Sequence, residues 1–294
     1  MNAIAFYLFY GLVWTVTLLP LRVLYLISDL LYVILYYIVG YRKKVVRTNL
    51  INAFPEKSDA ERISVEKKFF RHLSDMFVET VKLIHLSEKK TRERLVITNP
   101  ELLNRLFAEG RDVIAVLGHY SNWEYLTILP KLTDYTVISV YRPLKNRYFD
   151  KLITSLRERY GHVLTPMSSV IRELIRYRKN NVRTFTALLS DQTPAKVDIH
   201  YWTKFLNQDT AVYLGAEKIA TKYGMSVIFL NYKKVKRGYY SITYELICEN
   251  AATMPEHAVT EAHVRRLEEI IREKPEYWIW SHRRWKHKKE QADG

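Results

Sequence analysis

The chain has 294 residues, enough for one large domain or two small ones, and no Pro/Gly/Ser-rich linker, internal repeat or low-complexity tract divides it. Its single cysteine, Cys248, excludes an intramolecular disulfide and a cysteine-based zinc site. A net charge of +15 draws nucleic acid, anionic lipid or an acidic protein, and 22 tyrosines with 6 tryptophans suit base stacking as well as a membrane interface.

The elements in chain order decide among these. From Ala3 to Tyr41 the only formal charges are Arg22 and Asp29, and the stretch exceeds the roughly 20 apolar residues that one membrane span requires. No basic segment precedes it and no small-residue cleavage site follows a short core, unlike a signal peptide. Leu19–Pro20 splits it, which predicts a span plus an interfacial helix or a shallow hairpin, the alternative being two buried core helices. Arg42, Lys43, Lys44 and Arg47 follow at once and mark a cytoplasmic side. Residues 1–41 are therefore expected to anchor a domain spanning 42–294, and a nucleic-acid binder, which has no use for such a segment, is set aside.

Ser58 to Leu86 is charged, with Phe69, Phe70, Leu73, Phe77 and Val81 at helical spacing. Glu101–Glu109 reads as a helix ended by Gly110, Val113–Leu117 as a buried strand, and Ser121–Leu132 as the helix after it. The alternation continues with strand Tyr135–Val140, helices Tyr148–Tyr160 and Ser168–Lys179, and strand Arg183–Leu189. Helix Thr210–Tyr223, strand Ser226–Leu230, a half-exposed antiparallel edge strand Tyr239–Ile247 and helix Thr260–Glu273 complete it. The expected fold is α/β: a mixed, largely parallel sheet covered by helices on both faces, behind an apolar N-terminal membrane anchor. Sites in such folds lie at the carboxyl ends of the strands, which His119, Arg142 and Asp191 each follow directly.

The stretch VIAVLGHYSNWE (Val113–Glu124) carries the clearest chemistry. A strand ends at Gly118, His119 follows, and Glu124 comes five positions later. On one ideal helix that spacing separates the two side chains by about 140°. They meet only if His119 lies in the turn and Glu124 in the first helical turn, where a carboxylate can hold an imidazole as a general base. Ser121 and Glu124 also form the S-x-x-E capping pattern, so Glu124 serves equally well as a helix cap.

GHYSNWE resembles the H-x4-D/E motif of glycerolipid and lipid A acyltransferases, and its Asn-Trp-Glu ending is similar to the late lipid A branch, the lauroyl/myristoyl transferase type. Four further blocks resemble that family in order: YRKKVVRTNLINAFPE (Tyr41–Glu56), VYRPLKNRYFD (Val140–Asp150), SDQTP (Ser190–Pro194) and PEYWIWSHRRWK (Pro275–Lys286). The resemblance implies an inner-membrane enzyme with its globular part on the cytoplasmic face. Such an enzyme moves a fatty acyl chain from acyl carrier protein to a hydroxyl of a lipid A precursor, an anionic glycolipid. No metal or organic cofactor is implied beyond the donor's phosphopantetheine arm. Acylation of another glycolipid or an amino-acid lipid is the nearest alternative, and a non-catalytic protein that binds anionic lipid is the alternative of another class.

His119 is assigned as base and Glu124 as the group that orients it, with no acyl-enzyme, since no G-x-S-x-G elbow is present. By resemblance Arg142 holds a phosphate or faces the oxyanion, Asp191 supports Arg142, and Gln192 donates to an acyl or sugar oxygen. Thr210 resembles the small residue opening the family's next helix, although Asn207-Gln208-Asp209 stands where a glycine is common. Arg283 and Arg284, with Lys286, are expected to meet phosphates of lipid or of carrier protein.

Overall fold

The buried apolar runs become the middle of a sheet whose layout fixes where the polar residues after them can meet. The structure, a computed structural model, describes residues 3–289. The strands are β1 (Leu95–Ile97), β2 (Val113–Leu117), β3 (Thr136–Tyr141), β4 (Val163–Pro166), β5 (Thr184–Leu189), β6 (Trp202–Phe205), β7 (Gln208–Ala211), β8 (Ser226–Lys236) and β9 (Tyr239–Cys248). Among the described residues, seven form one sheet in the order β1-β9-β8-β2-β5-β3-β4, while β6 and β7 pair as a separate hairpin. β8, β2, β5, β3 and β4 are parallel; β9 runs against β8, and β1 follows β9. The sheet is thus mixed and largely parallel, as the alternation predicted. All five residues of β2, the strand that ends at the histidine motif, are buried.

Three local readings need correction. β9 is antiparallel to β8 but is not an edge, because the three-residue β1 pairs outside it with Leu95 opposite Tyr240. The helix expected from Thr210 starts only at Gly215: Gln208–Ala211 pairs back on Trp202–Phe205 through Leu206 and Asn207, whose φ angles of 49° and 63° make a two-residue hairpin turn. The helix expected over 121–132 is a 3-10 helix, Trp123–Lys131, capped by Asn122.

The helices are α1 (Ala3–Val16), α2 (Leu21–Val33), α3 (Lys43–Ala53), α4 (Asp59–Lys82), α5 (Glu88–Arg92), α6 (Pro100–Ala108), α7 (Arg147–Glu158), α8 (Val170–Lys179), α9 (Gly215–Tyr223) and α10 (Ala258–Glu273). A capping box of Ser58 and Glu61 starts α4. α2 continues as a π-helical turn (Ile34–Ile38), and together they are long and apolar enough to cross a membrane by length and composition. α2 is not free of the globular part, however. It buries Leu24, Ser28 and Tyr32 along α4 and leaves Leu26, Leu30 and Val33 exposed. Lys82 near the end of α4 donates to the carbonyls of Thr17 (2.6 Å) and Leu19 (2.9 Å), tying down the chain that leaves α1.

Candidate active site

β2 and β5 are parallel neighbours with Leu117 opposite Leu189, so the residues two places beyond each strand arrive side by side. Those residues are His119 and Asp191. The Nδ1 of His119 lies 2.6 Å from Asp191 Oδ1. Asp191 Oδ2 accepts the backbone N–H of His119 (2.8 Å) and the indole N–H of Trp278 (2.7 Å). This close approach also explains Gly118, where a Cβ would lie 3.2 Å from Asp191 Oδ2 and 2.6 Å from Leu267 Cδ1. Burial alone would push the Asp191 carboxyl up. The His119 ring and the donated hydrogen bonds outweigh it and hold the group down at about 2. An ionised acceptor at Nδ1 keeps the proton on that nitrogen and leaves the Nε2 lone pair as the basic position. Gln192 donates its amide to Nε2 at 3.1 Å, and the Trp123 ring stands edge-on to the imidazole at 4.8 Å between centroids.

Glu124 does not hold the histidine. Its Oε2 accepts Arg157 Nε (3.0 Å), and its Oε1 accepts both Arg157 Nη2 (2.5 Å) and the indole N–H of Trp123 (3.0 Å). The capping reading fails as well. Ser121 stands at φ 61° with its hydroxyl unpartnered, while Asn122 accepts the N–H of Glu124 at 3.3 Å. Glu124 and Arg157 wall a cavity of about 60 Å³ together with His162 and the apolar side chains Leu117, Leu126, Val140 and Leu189. That is far below the roughly 300–1,000 Å³ of ordinary ligand pockets, so this space alone does not house a long chain.

The remaining predicted residues separate. Arg142 is exposed in the turn after β3, at the same sheet edge as His119. Thr210 is buried on β7 with its hydroxyl between the indole N–H of Trp285 (2.7 Å) and the carbonyl of Gln208 (2.9 Å), a fully used structural position. Arg283 is exposed, but Arg284 is buried and donates to the carbonyl of Ala211 at 2.7 Å. Burial pushes its guanidinium down to about 10 against the pull of Asp191. The expectation that Arg284 docks a partner is therefore wrong: its head group faces the space behind Asp191, not solvent.

Sequence reasoning missed Arg157, Trp278 and Glu79. Glu79 of α4 is fully buried and accepts from Tyr25 (2.9 Å), Asn122 (2.7 Å) and Tyr240 (2.6 Å), so one carboxylate joins α2, the histidine loop and β9. Trp278 had a visible signal in the C-terminal tryptophan cluster, but nothing local in the sequence pairs it with Asp191. That segment is latched over the site. Arg42 and Asn49 bind the carbonyls of Ser281 and Trp280, and Thr193 binds that of Arg283.

A buried carboxylate, a tautomer-fixed imidazole and an adjacent amide donor form a general-base arrangement suited to acyl transfer. The sequence profile of the bacterial lipid A biosynthesis acyltransferases matches residues 1–287. The chain belongs to that family. No curated protein matches this acyltransferase individually. In the acyltransferase four of the five blocks read from the sequence come together. GHYSNWE and SDQTP make the His119–Asp191 contact, PEYWIWSHRRWK supplies Trp278, and the block from Tyr41 supplies Arg42 and Asn49, which hold that last segment in place.

Proposed function

We propose that this lipid A acyltransferase moves a fatty acyl chain from acyl carrier protein to a hydroxyl of a lipid A precursor at the cytoplasmic face of the inner membrane. The observation that carries the reading is the 2.6 Å contact between His119 Nδ1 and Asp191 Oδ1. Nε2 takes the proton of the acceptor hydroxyl as its oxygen attacks the thioester carbonyl. The tetrahedral intermediate collapses by breaking the carbon–sulfur bond, and the proton passes from His119 to the departing phosphopantetheine thiolate. The Asp191 carboxylate stabilises the imidazolium formed in between. Gln192 occupies the place the hydroxyl must take. Displaced by the acceptor, its amide becomes a donor for the oxyanion.

Attack is direct, without an acyl-enzyme. Cys248 is buried and pairs with Val227 near the start of β8, at the opposite end of the sheet from His119, and burial pushes its thiol up. Exposed Arg142 is assigned to an acceptor phosphate at the rim. A basic cleft of about 920 Å³ between α3, the β6–β7 hairpin and the C-terminal segment, lined by Lys44, Lys204, Arg283 and Lys286, suits an acidic carrier protein. Membrane attachment is supported by the exposed apolar face of α2 and by the cations that follow it, Arg42 and Lys44.

Mass spectrometry of lipid A from a deletion strain tests the whole assignment. Loss of one acyl group with phospholipids unchanged, restored by the parental gene and not by His119→Ala, is the expected result. Unchanged lipid A alongside an altered glycolipid or amino-acid lipid would move the assignment to another acceptor.

A further inference from the structure

α8 buries Val170 and Leu174 against β4, the outermost strand on its side of the sheet. The same helix exposes a second apolar line: Ile171 is 44% and Ile175 37% exposed, and Met167, one turn earlier, is 56% exposed. A spacing of four sets Ile171 and Ile175 on one face of α8, and Met167 lies in the turn that leads into the helix. Arg172 and Arg176 flank the line. Two neighbouring loops repeat the pattern, Leu144 (50% exposed) beside Lys145 after β3 and Val197 (84% exposed) beside Lys196 after β5. Each of these segments leaves the carboxyl end of a parallel strand, the edge that carries His119. Scattered exposed apolar residues need no account, but several grouped on one edge and rimmed by cations do.

α1 indicates what covers them. Phe6 is buried between Tyr148 and Phe149 of α7, with ring centroids 5.2 Å and 5.3 Å away. The outer surface of α1 is apolar and exposed at Ile4, Leu8 and Leu12. α7 begins three residues after Leu144. Wherever α1 finds an apolar surrounding, the start of α7 and the Leu144 loop are brought to the same level.

We propose that α8 and the loops at Leu144, Met167 and Val197 form a bilayer-docking surface additional to the N-terminal segment, seated in the anionic headgroup region. Apolar side chains in the centre with arginines at the margin match an interfacial helix. The acceptor then reaches His119 sideways from the membrane without passing through water. The inference rests on the membrane-attached reading above and extends it from the N-terminal helices to the catalytic edge.

Full-length protein with Cys248→Ala receives single cysteines in place of Met167, Ile171, Leu30 of α2, or Ala108. Ala108 is exposed at the opposite end of the parallel strands, just before β2. An environment-sensitive dye on each is read in phosphatidylglycerol/phosphatidylethanolamine vesicles containing chain-quenching lipid. Quenching at positions 167, 171 and 30, with none at 108, is the expected result. Quenching at 30 but not at 167 and 171 overturns this surface and leaves the anchor intact, whereas no quenching at 30 removes the membrane reading and this proposal with it. Dyes at 167 and 171 that respond to acidic carrier protein and not to vesicles would assign the surface to the carrier instead. Ile171→Glu with Ile175→Glu provides the functional arm. Activity on vesicle-borne acceptor should fall at least tenfold while activity on detergent-dispersed acceptor holds; equal retention of both overturns the proposal.

Discussion

At the residue scale, the two carboxylates that follow buried strands or turns have different duties. Asp191 binds the imidazole and Glu124 binds Arg157, so Asp191→Asn should cost more than Glu124→Gln. Loss of a general base commonly lowers turnover about 10²–10⁴-fold. His119→Ala and Asp191→Asn should both fall in that range, with Glu124→Gln at least tenfold more active than either. Steady-state kinetics on the purified variants decides this, and the reverse order would return the orienting role to Glu124. The pH dependence follows from the same pair. The Asp191 carboxyl is held at about 2, below its ordinary 3.8, so it stays ionised wherever the enzyme works. The acid limb of kcat/KM should then show no break from Asp191. The depressed group stabilises the fold above about pH 4 and loses that contribution as pH falls through 2, on the order of 2 kcal/mol. Denaturant unfolding of the parent and Asp191→Asn between pH 5 and pH 2 should show the gap closing toward acid. His119 was readable because a buried run ends beside it. The role of Asp191 was not, because it depends on β5 returning to lie next to β2, and nothing local to SDQTP encodes a strand's neighbour.

At the scale of elements, the long apolar runs were legible and the short pieces were not. β2, β3, β5 and α10 declare themselves by continuous or periodic apolar residues. β1 and the β6–β7 hairpin are three or four residues long and owe their shape to partners distant in sequence. The least legible link is α2 through Glu79 to the histidine loop. Glu79 is buried and burial pushes its carboxyl up, yet three donors satisfy it: Tyr25 from α2, Asn122 from the loop and Tyr240 from β9. Asn122 caps the 3-10 helix that carries Trp123 and Glu124, so α2 braces the site as well as presenting an apolar face. Removing the Tyr25 hydroxyl should cost about 1–3 kcal/mol, because it leaves a buried acceptor short of one donor. Tyr25→Phe should therefore lower the thermal midpoint by a few degrees and reduce turnover, with the share of protein in the membrane fraction unchanged. Thermal unfolding, kinetics and fractionation on one preparation test it. A change in fractionation alone, with turnover intact, would reduce α2 to an anchor.

For the whole molecule, the excess of positive charge was legible as a field but not as an arrangement, because composition cannot tell a buried arginine from an exposed one. Arg283 and Arg284 are adjacent in sequence, yet one is exposed at the basic cleft and the other is enclosed behind Asp191. Arg284→Ala should therefore destabilise the fold, and it is unsuitable for probing docking. Arg283 and Arg142 are the informative pair. Charges in an open cleft act on an approaching partner through water, where the screening length is about 8 Å at physiological salt. Arg283→Ala with Lys286→Ala should raise KM for carrier protein several-fold at low salt and leave kcat near parental. At high salt the parental KM should climb to meet that of the variant, since salt removes the same attraction in both. Arg142 is assigned to the acceptor phosphate beside the reacting edge, where a bidentate contact made in the bound complex is less exposed to screening. Arg142→Ala should lower kcat/KM for the lipid acceptor at every ionic strength without changing KM for the carrier. Kinetics with each substrate varied in turn, at low and high salt, separates the two. If both variants lose carrier affinity in the same salt-dependent way, Arg142 belongs to the docking field and the acceptor phosphate must be held elsewhere along the sheet edge.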